Sequence, residues 1–378
     1  MYQLLFLESV PVHQNLLYSS QDVASKCKFG NIDLRACEDC GFVFNATFDS
    51  ALLDYSEAYE NSQDKSGSFA AHMYSVAESL VERHSLRGKR ILEIGCGKGA
   101  FLNLIVEIAG AIGRGFDPSY VNEFDNVDAL SFVKDFFPSN QAWWSPDQIV
   151  CRHVLEHIAC PFDFVSMIRR SIPQGQAPYL YFEVPSFDWI CDNLAFWDIF
   201  YEHCNYFTMQ SISSLMVAQG FIVERIAPVF SEQYLSVDVR ILDDVAPESP
   251  PWLQAEPSNR VAEYADLARG FSRRMNELDN RIRKAVGEGK KIAVWGAAAK
   301  GSTFLNQLKL APDIVSRVID INPRKQGNFI AGMGQLICAP ESLQSNPADI
   351  IYVMNPNYER EIRQQLAQLS LFPELVVI

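Results

Sequence analysis

Apolar residues arrive in short runs that alternate with helix-length amphipathic stretches over most of this chain. A helical pattern spans Ala70 to Arg83; the run Arg90-Ile91-Leu92-Glu93-Ile94 then breaks into Gly95-Cys96-Gly97-Lys98-Gly99 ahead of another helix. Further apolar runs follow at Ile112 to Phe116, Gln148 to Cys151, Tyr179 to Glu183 and Phe221 to Ile226. Strands alternating with helices in this way predict a parallel sheet covered by helices on both faces. The layout returns later: Lys291 to Trp295 breaks into Gly296-Ala297-Ala298-Ala299-Lys300-Gly301 and a helix, and Val315 to Ile319 ends in Asp320. The expected fold class is α/β, with two nucleotide-binding-like units.

Ahead of these units, short runs at Gln3 to Phe6, Ile32 to Leu34 and Phe42 to Phe44 stand between turn residues and predict a small appended module. The proline- and acid-rich segment Asp243 to Pro257 reads as a linker, followed by a mostly helix-forming stretch from Ser258 to Glu288. Three domains are expected, over 1–67, 68–242 and 258–378. Composition agrees, since 378 residues with 48% apolar content can bury more than one core. With 32 Lys and Arg against 46 Asp and Glu, the net charge of -14 repels nucleic acid and anionic membrane. An anionic ligand therefore needs a local basic pocket. Nine scattered cysteines, a lone CxxC at Cys37 and Cys40, and no leader or membrane-length apolar run point to the cytoplasm.

The first glycine loop lets a ligand press on bare backbone and on the amides of a helix N-terminus. Asp117 follows about twenty residues on, where a carboxylate takes ribose hydroxyls in dinucleotide folds. Glu93 reads as an acid of the loop itself, and the lysine and serine of a phosphate-gripping P-loop are missing. That favours a nucleoside without a phosphate tail; a purely structural turn and an NAD fingerprint are the competing readings. A second constellation is Tyr201-Glu202-His203 among aromatics, where neighbours can tune His203 as a base. The bland alternative is a packed aromatic cluster with a satisfied histidine. In the second glycine loop, Lys300 with Arg324 and Lys325 form a candidate cationic patch for a pyrophosphate, with Asn306 and Asp320 adding polar contacts; a structural turn is the competing reading there too.

Taken together, the segments EIGCGKG, VLEHI, YEHCNYF, GAAAKGSTFLN and VIDINPRKQG resemble the sugar C-methyltransferases that act on nucleotide-linked keto-sugars. The resemblance covers nearly the whole chain, and EIGCGKG is similar to motif I of class I S-adenosylmethionine (SAM) methyltransferases. It implies an N-terminal zinc-binding-like domain, a central class I (Rossmann-like) SAM domain and a C-terminal Rossmann-like domain that binds the nucleotide-sugar. It implies that Glu93, Gly95, Gly97, Gly99, Asp117, Asp135, Phe136 and His153 hold the cofactor. His203 is the implied base, oriented by Glu202, with His157 a second active-site histidine and Tyr59 an active-site tyrosine, a register for which Tyr55 competes. Where the family carries a tyrosine two positions before the glutamate, this chain has Phe200, so either Tyr201 takes over the hydroxyl role or the oxyanion is stabilised differently.

A closed zinc site needs four ligands. Cys37 and Cys40 supply one pair, Met1 to Ser9 contains no cysteine, and Cys27 and His13 are the remaining substitutes. A metal-free module is expected, with zinc at Cys37 and Cys40 the alternative. The expected protein is an enzyme acting as a monomer or homodimer on a small nucleotide-sugar. The competing functions are an O-methyltransferase on a sugar or small hydroxyl substrate, an NAD-dependent oxidoreductase, and a non-catalytic binder.

Overall fold

A computed structural model describes residues 1–38, 40–53, 66–121, 123–124, 127–137, 144–241 and 260–378. Strands β1 (Tyr2–Pro11), β2 (Phe29–Ala36) and β3 (Val43–Asn45) form an antiparallel sheet, with helix α1 (Gln21–Ser25) between the first two. Its fourth strand comes from far along the chain: β9 (Asn205–Tyr206) pairs with β3.

The alternating text after Phe69 becomes a seven-stranded sheet. Helix α2 (Gly67–Arg83) starts where the Ser66 hydroxyl accepts the Phe69 amide, and it buries Phe69, Met73, Val76, Ala77, Leu80 and Val81 along one stripe. It leads into β4 (Arg90–Ile94), α3 (Ala100–Ala109), β5 (Ile112–Phe116), β6 (Leu130–Val133), β7 (Gln148–Arg152), α4 (Pro161–Ser171), β8 (Tyr179–Pro185), α5 (Phe187–Asn193), α6 (Met209–Ala218), β10 (Phe221–Val229) and β11 (Tyr234–Ile241). The strand order is β10-β11-β8-β7-β4-β5-β6. Strands β4 to β8 run parallel, and β11 is antiparallel to both its neighbours. Central β7 is buried at all five positions, as a parallel strand covered on both faces must be. The order reverses at β4, whose crossover partners β5 and β7 lie on opposite sides, and that switch point opens a crevice at the strands' carboxyl ends.

A 28-residue helix, α7 (Arg260–Gly287), leads to the third sheet. This sheet is built from β12 (Ile292–Trp295), β13 (Arg317–Ile319), β14 (Leu336–Cys338), β15 (Ile350–Val353) and β16 (Glu374–Val377), with α8 (Ala299–Gln307), α9 (Ser342–Ser345) and α10 (Glu359–Gln368) between strands. All pairs are parallel, in the order β14-β13-β12-β15-β16, so this unit has its own switch point at β12.

The N-terminal strands are not an appendage. Leu4, Leu7, Ile32 and Leu34 share one core with Trp197, with Phe271, Leu278 and Ile282 of α7, and with Phe304 of α8. The small sheet is thus the packing that joins the YEHCNYF segment to the C-terminal unit. Among the described residues no helix is long and apolar enough to cross a membrane.

Candidate active site

The first glycine loop leaves β4 with Gly95, Gly97 and Gly99 all at positive φ, from +54 to +88°. A Cβ on Gly95 would meet Val154 Cγ2 at 2.2 Å, and one on Gly99 would meet Phe132 at 2.7 Å, whereas Gly97 faces open space. The first and last glycines let neighbours close in; the middle one leaves a bare edge for a ligand. Asp117, just past β5, accepts the Gly97 amide at 2.8 Å through Oδ2 and the Ser119 amide and hydroxyl at 2.7 and 2.6 Å through Oδ1. A carboxylate beside an open glycine turn fits the ribose of a nucleoside.

Two details differ from the sequence reading. Glu93 belongs to β4 rather than to the loop, and it is buried beneath it. Burial pushes its carboxyl up to about 8, against the lowering pull of Arg152, with Asp117 adding to the rise. Asp135 and Phe136 lie on the segment after β6, but Phe136 is 69% exposed and Asp135 caps its own neighbour's amide. The ring packed inward there is Phe137, edge-on to Phe116.

The segment after β7 links this loop to a second site. Val154 touches Gly95, while His153, Glu156 and His157 line a cavity of about 260 Å³. His153, at φ +54°, is fixed by Glu183 of β8, whose Oε1 is 2.9 Å from its Nε2. Glu183 also meets Arg152 at 2.7 Å, His72 at 3.2 Å and the Tyr181 hydroxyl at 2.8 Å. Burial opposes its ionisation, but Arg152, His153 and His72 prevail and hold its carboxyl well below the ordinary range. Sequence reasoning passed over this hub; its signal was one acid inside the apolar strand Tyr-Leu-Tyr-Phe-Glu-Val-Pro.

His157 and His203 meet in the cavity with ring centroids 4.8 Å apart. The His157 Nδ1–H donates to the Glu202 carbonyl at 2.8 Å, which leaves Nε2 as the bare nitrogen. His203 packs against Phe200 with ring centroids 3.9 Å apart and planes tilted by 40°. Burial, and then electrostatic interaction with His157, His153 and Lys300, hold its imidazole well below the usual histidine range. His203 is therefore unprotonated at neutral pH, the state a base requires.

The neighbours of His203 take roles other than those expected from the sequence. The Glu202 carboxylate turns away from His203: Oε2 accepts the Gln14 amide at 3.0 Å and Oε1 lies 3.6 Å from His13 Nδ1. Tyr201 points toward the N-terminal sheet, where its hydroxyl accepts the Asp49 amide at 2.9 Å and its ring covers Gly30. The aromatic side chain of this turn in the cavity is Phe200. Tyr59 and Tyr55 lie outside the described residues.

Across the cavity stands the second glycine loop, with Lys300, Asp320 and Lys325 among the lining residues. Asp320 repeats the part of Asp117: its Oδ2 accepts the Ala297 amide and its Oδ1 the Asn322 amide, both at 2.8 Å. Lys300 Nζ is 2.6 Å from Asp198 Oδ1 and 5.1 Å over the Trp189 ring. Buried Lys325 reaches the Ala297 carbonyl at 3.4 Å. Two expected contributors are not lining residues: Arg324 is exposed, and the Asn306 amide is committed to the Ser302 and Ala331 carbonyls. A reciprocal pair of buried amides, Gln233 and Asn355 at 2.9 and 3.0 Å, holds the two walls together.

Cys37 and Cys40 lie at the β2–β3 turn, but the other proposed ligands are occupied elsewhere: His13 beside Glu202 and Cys27 near the Gly332 backbone. Among the described residues, the one grouping of three metal-binding side chains is Glu156, His157 and His203.

Residues 69–226 match the family described as a methyltransferase domain, and residues 253–372 match the C-methyltransferase C-terminal domain. The chain is 24% identical over 376 residues to the C-methyltransferase NovU of Streptomyces niveus, covering 94% of this chain and 87% of the relative. Among solved structures, the 1,6-didemethyltoxoflavin-N1-methyltransferase of Burkholderia thailandensis matches 47% of this chain and 82% of its own, with 15% identity and a TM-score of 0.37. The magnesium protoporphyrin IX methyltransferase of Synechocystis PCC 6803 matches 46% and 84%, with 17% identity and a TM-score of 0.36. The chain is a methyltransferase that joins, in one polypeptide, matches to a methyltransferase domain and to the C-methyltransferase C-terminal domain.

Proposed function

We propose that this enzyme methylates a carbon next to the ketone of a nucleotide-linked keto-sugar, with His203 as the base. The observation that carries the reading is the shared cavity. One wall presents the unprotonated His203 and the bare Nε2 of His157; the other presents Lys300, Lys325 and a glycine loop. A ketone acidifies the neighbouring C–H, so a neutral imidazole with its lone pair free can take that proton and leave an enolate. Lys325, and Lys300 once a ligand displaces its Asp198 partner, are the local cations that a chain of net charge -14 needs to hold a pyrophosphate.

Gly95, Gly97, Gly99 and Asp117 would hold SAM, which would offer an electrophilic methyl group to the enolate carbon, its sulfonium sulfur leaving as a neutral thioether. The chain's own part is positional. Val154 against Gly95 and His157 in the cavity belong to one short segment, so the cofactor loop is linked rigidly to the histidine that packs on the base. The Glu202 carbonyl fixes the His157 tautomer, and the Glu202 carboxylate ties the same turn to the N-terminal sheet.

The test is turnover of a panel of nucleotide keto-sugars with methyl-labelled SAM. The label is expected in a product whose methyl survives acid hydrolysis and whose hydroxyls are all free; a methyl ether would replace this reading with O-methylation. His203→Ala is expected to lower kcat by about 10²–10⁴-fold with SAM affinity unchanged. Retained turnover would remove His203 as the base.

A further inference from the structure

The two imidazoles of the cavity have a third companion that the proposed chemistry leaves unused. Glu156 is 2% exposed, and its Oε2 has no hydrogen-bond partner among the described residues. Its Oε1 lies 3.6 Å from His153 Nδ1. A carboxylate oxygen removed from water without a donor is unfavourable, and a bound cation satisfies it. Glu156, His157 and His203 each bring one ligand atom, all within 4.8 Å of one another.

The orientation of the ligands supports the same conclusion. Metal-ligating histidines characteristically donate their second ring N–H to a carbonyl or carboxylate, which fixes the tautomer and turns the bare nitrogen to the metal. His157 makes that contact with the Glu202 carbonyl, leaving Nε2 free. Metal–ligand bonds of 2.0–2.2 Å set tetrahedral ligand pairs about 3.4 Å apart, so closure requires only modest side-chain rotation. His203 makes no ring hydrogen bond among the described residues that would resist it; its ring contacts are a tilted Phe200 and edge-on His157 and Tyr206. Two histidines and one carboxylate, open on the cavity side, are a ligand set for a divalent transition metal with vacant positions.

We propose that Glu156, His157 and His203 bind a divalent transition metal of the zinc class, and that the metal inhibits methyl transfer by occupying the imidazole that would take the substrate proton. The inhibitory half rests on the function proposed above; the binding half stands without it. The metal and the substrate proton compete for the same lone pair, so no bond is made or broken beyond coordination.

The experiment uses the full chain and Co²⁺ as a spectroscopic probe. Wild type is expected to bind one equivalent with visible d–d bands and no thiolate charge-transfer band from this site. The Cys37→Ser/Cys40→Ser variant is expected to keep that equivalent, which separates the cavity from the cysteine pair. Glu156→Gln is expected to weaken Co²⁺ by at least about tenfold, as losing one of three ligands should. The Zn²⁺ concentration for half-inhibition, relative to each variant's own metal-free rate, is expected to rise by the same factor. The absence of Co²⁺ bands in Cys37→Ser/Cys40→Ser, unchanged affinity in Glu156→Gln, or acceleration by Zn²⁺ would each overturn the proposal. Co²⁺ binding without turnover of any keto-sugar would refute the function while leaving the binding site in place; turnover without Co²⁺ binding would do the reverse.

Discussion

Glutamine in place of Glu93 removes an ionisable group from the floor of the cofactor loop while changing almost nothing in shape. Glu93 is 3% exposed, its Oε2 has no described partner, and burial, opposed by Arg152 and reinforced by Asp117, raises its carboxyl from 4.5 to about 8. Below pH 4.5 both folded and unfolded chains hold the proton. Between 4.5 and about 8 the unfolded chain releases it while the folded chain keeps it, so stability falls as pH rises. At about 1.4 kcal/mol per tenfold step, the deficit approaches ~3 kcal/mol at pH 7 and ~5 kcal/mol above pH 8, as upper figures. Glu93→Gln is neutral throughout and escapes it. Urea unfolding at pH 4.5, 7 and 8.5 is therefore expected to give curves that nearly coincide at the lowest pH and separate in favour of the variant as pH rises. A gap that does not grow with pH would refute the protonated, desolvated state assigned to Glu93.

Three further outcomes follow from contacts on the cavity walls. Gly95→Ala brings a methyl within 2.2 Å of Val154 at a positive φ, so a loss of about 1–3 kcal/mol and a lower kcat are expected; unchanged thermal unfolding and turnover would mean the loop and the His157 segment are not in register. Tyr201→Phe deletes a hydroxyl that serves the Asp49 amide, so about 1 kcal/mol of stability is expected to go while kcat stays within about twofold; a large fall in kcat would return that hydroxyl to the chemistry. Asn355→Leu strands the buried Gln233 amide at a cost of about 1–3 kcal/mol, and calorimetry is expected to show the two large sheets unfolding in separate transitions; a single transition at the original temperature would contradict the clamp.

What the sequence made legible was local. The runs at Arg90 to Ile94 and Lys291 to Trp295 form central parallel strands buried along almost their whole length, so their apolar character announces them, and Ile112 to Phe116 pairs beside the first of these. The glycines of the first loop were legible because positive φ and close approach leave few other choices. Two things depended on distant partners. The N-terminal strands looked like a minor appendage because their core companions, Trp197, Phe271 and Phe304, lie much later in the chain. In the Phe200–His203 turn, the His203 amide bonds back to the Phe200 carbonyl, which puts positions i and i+3 on one side and the two between them on the other. Composition cannot say which pair faces the cavity; the N-terminal sheet decides by accepting Tyr201 and Glu202.

The acid that follows the second strand recurs in both large units, with a different hydrogen-bond load in each. An ionised carboxylate offers about four acceptor positions. Asp117 devotes three of them to the Gly97 amide and to Ser119, so its loop is held rigidly and little acceptor capacity remains for a ribose unless Ser119 yields. Asp320 devotes two, one on each oxygen, to the Ala297 and Asn322 amides and keeps a position on each oxygen. The paired hydroxyls of a ribose match that second arrangement without rearrangement. On this count Asp320 keeps acceptor capacity on both oxygens, whereas Asp117 keeps it on Oδ2 alone. The acid of the second unit, Asp320, lines the cavity together with Lys300 and His203, whereas Asp117 is not among its lining residues.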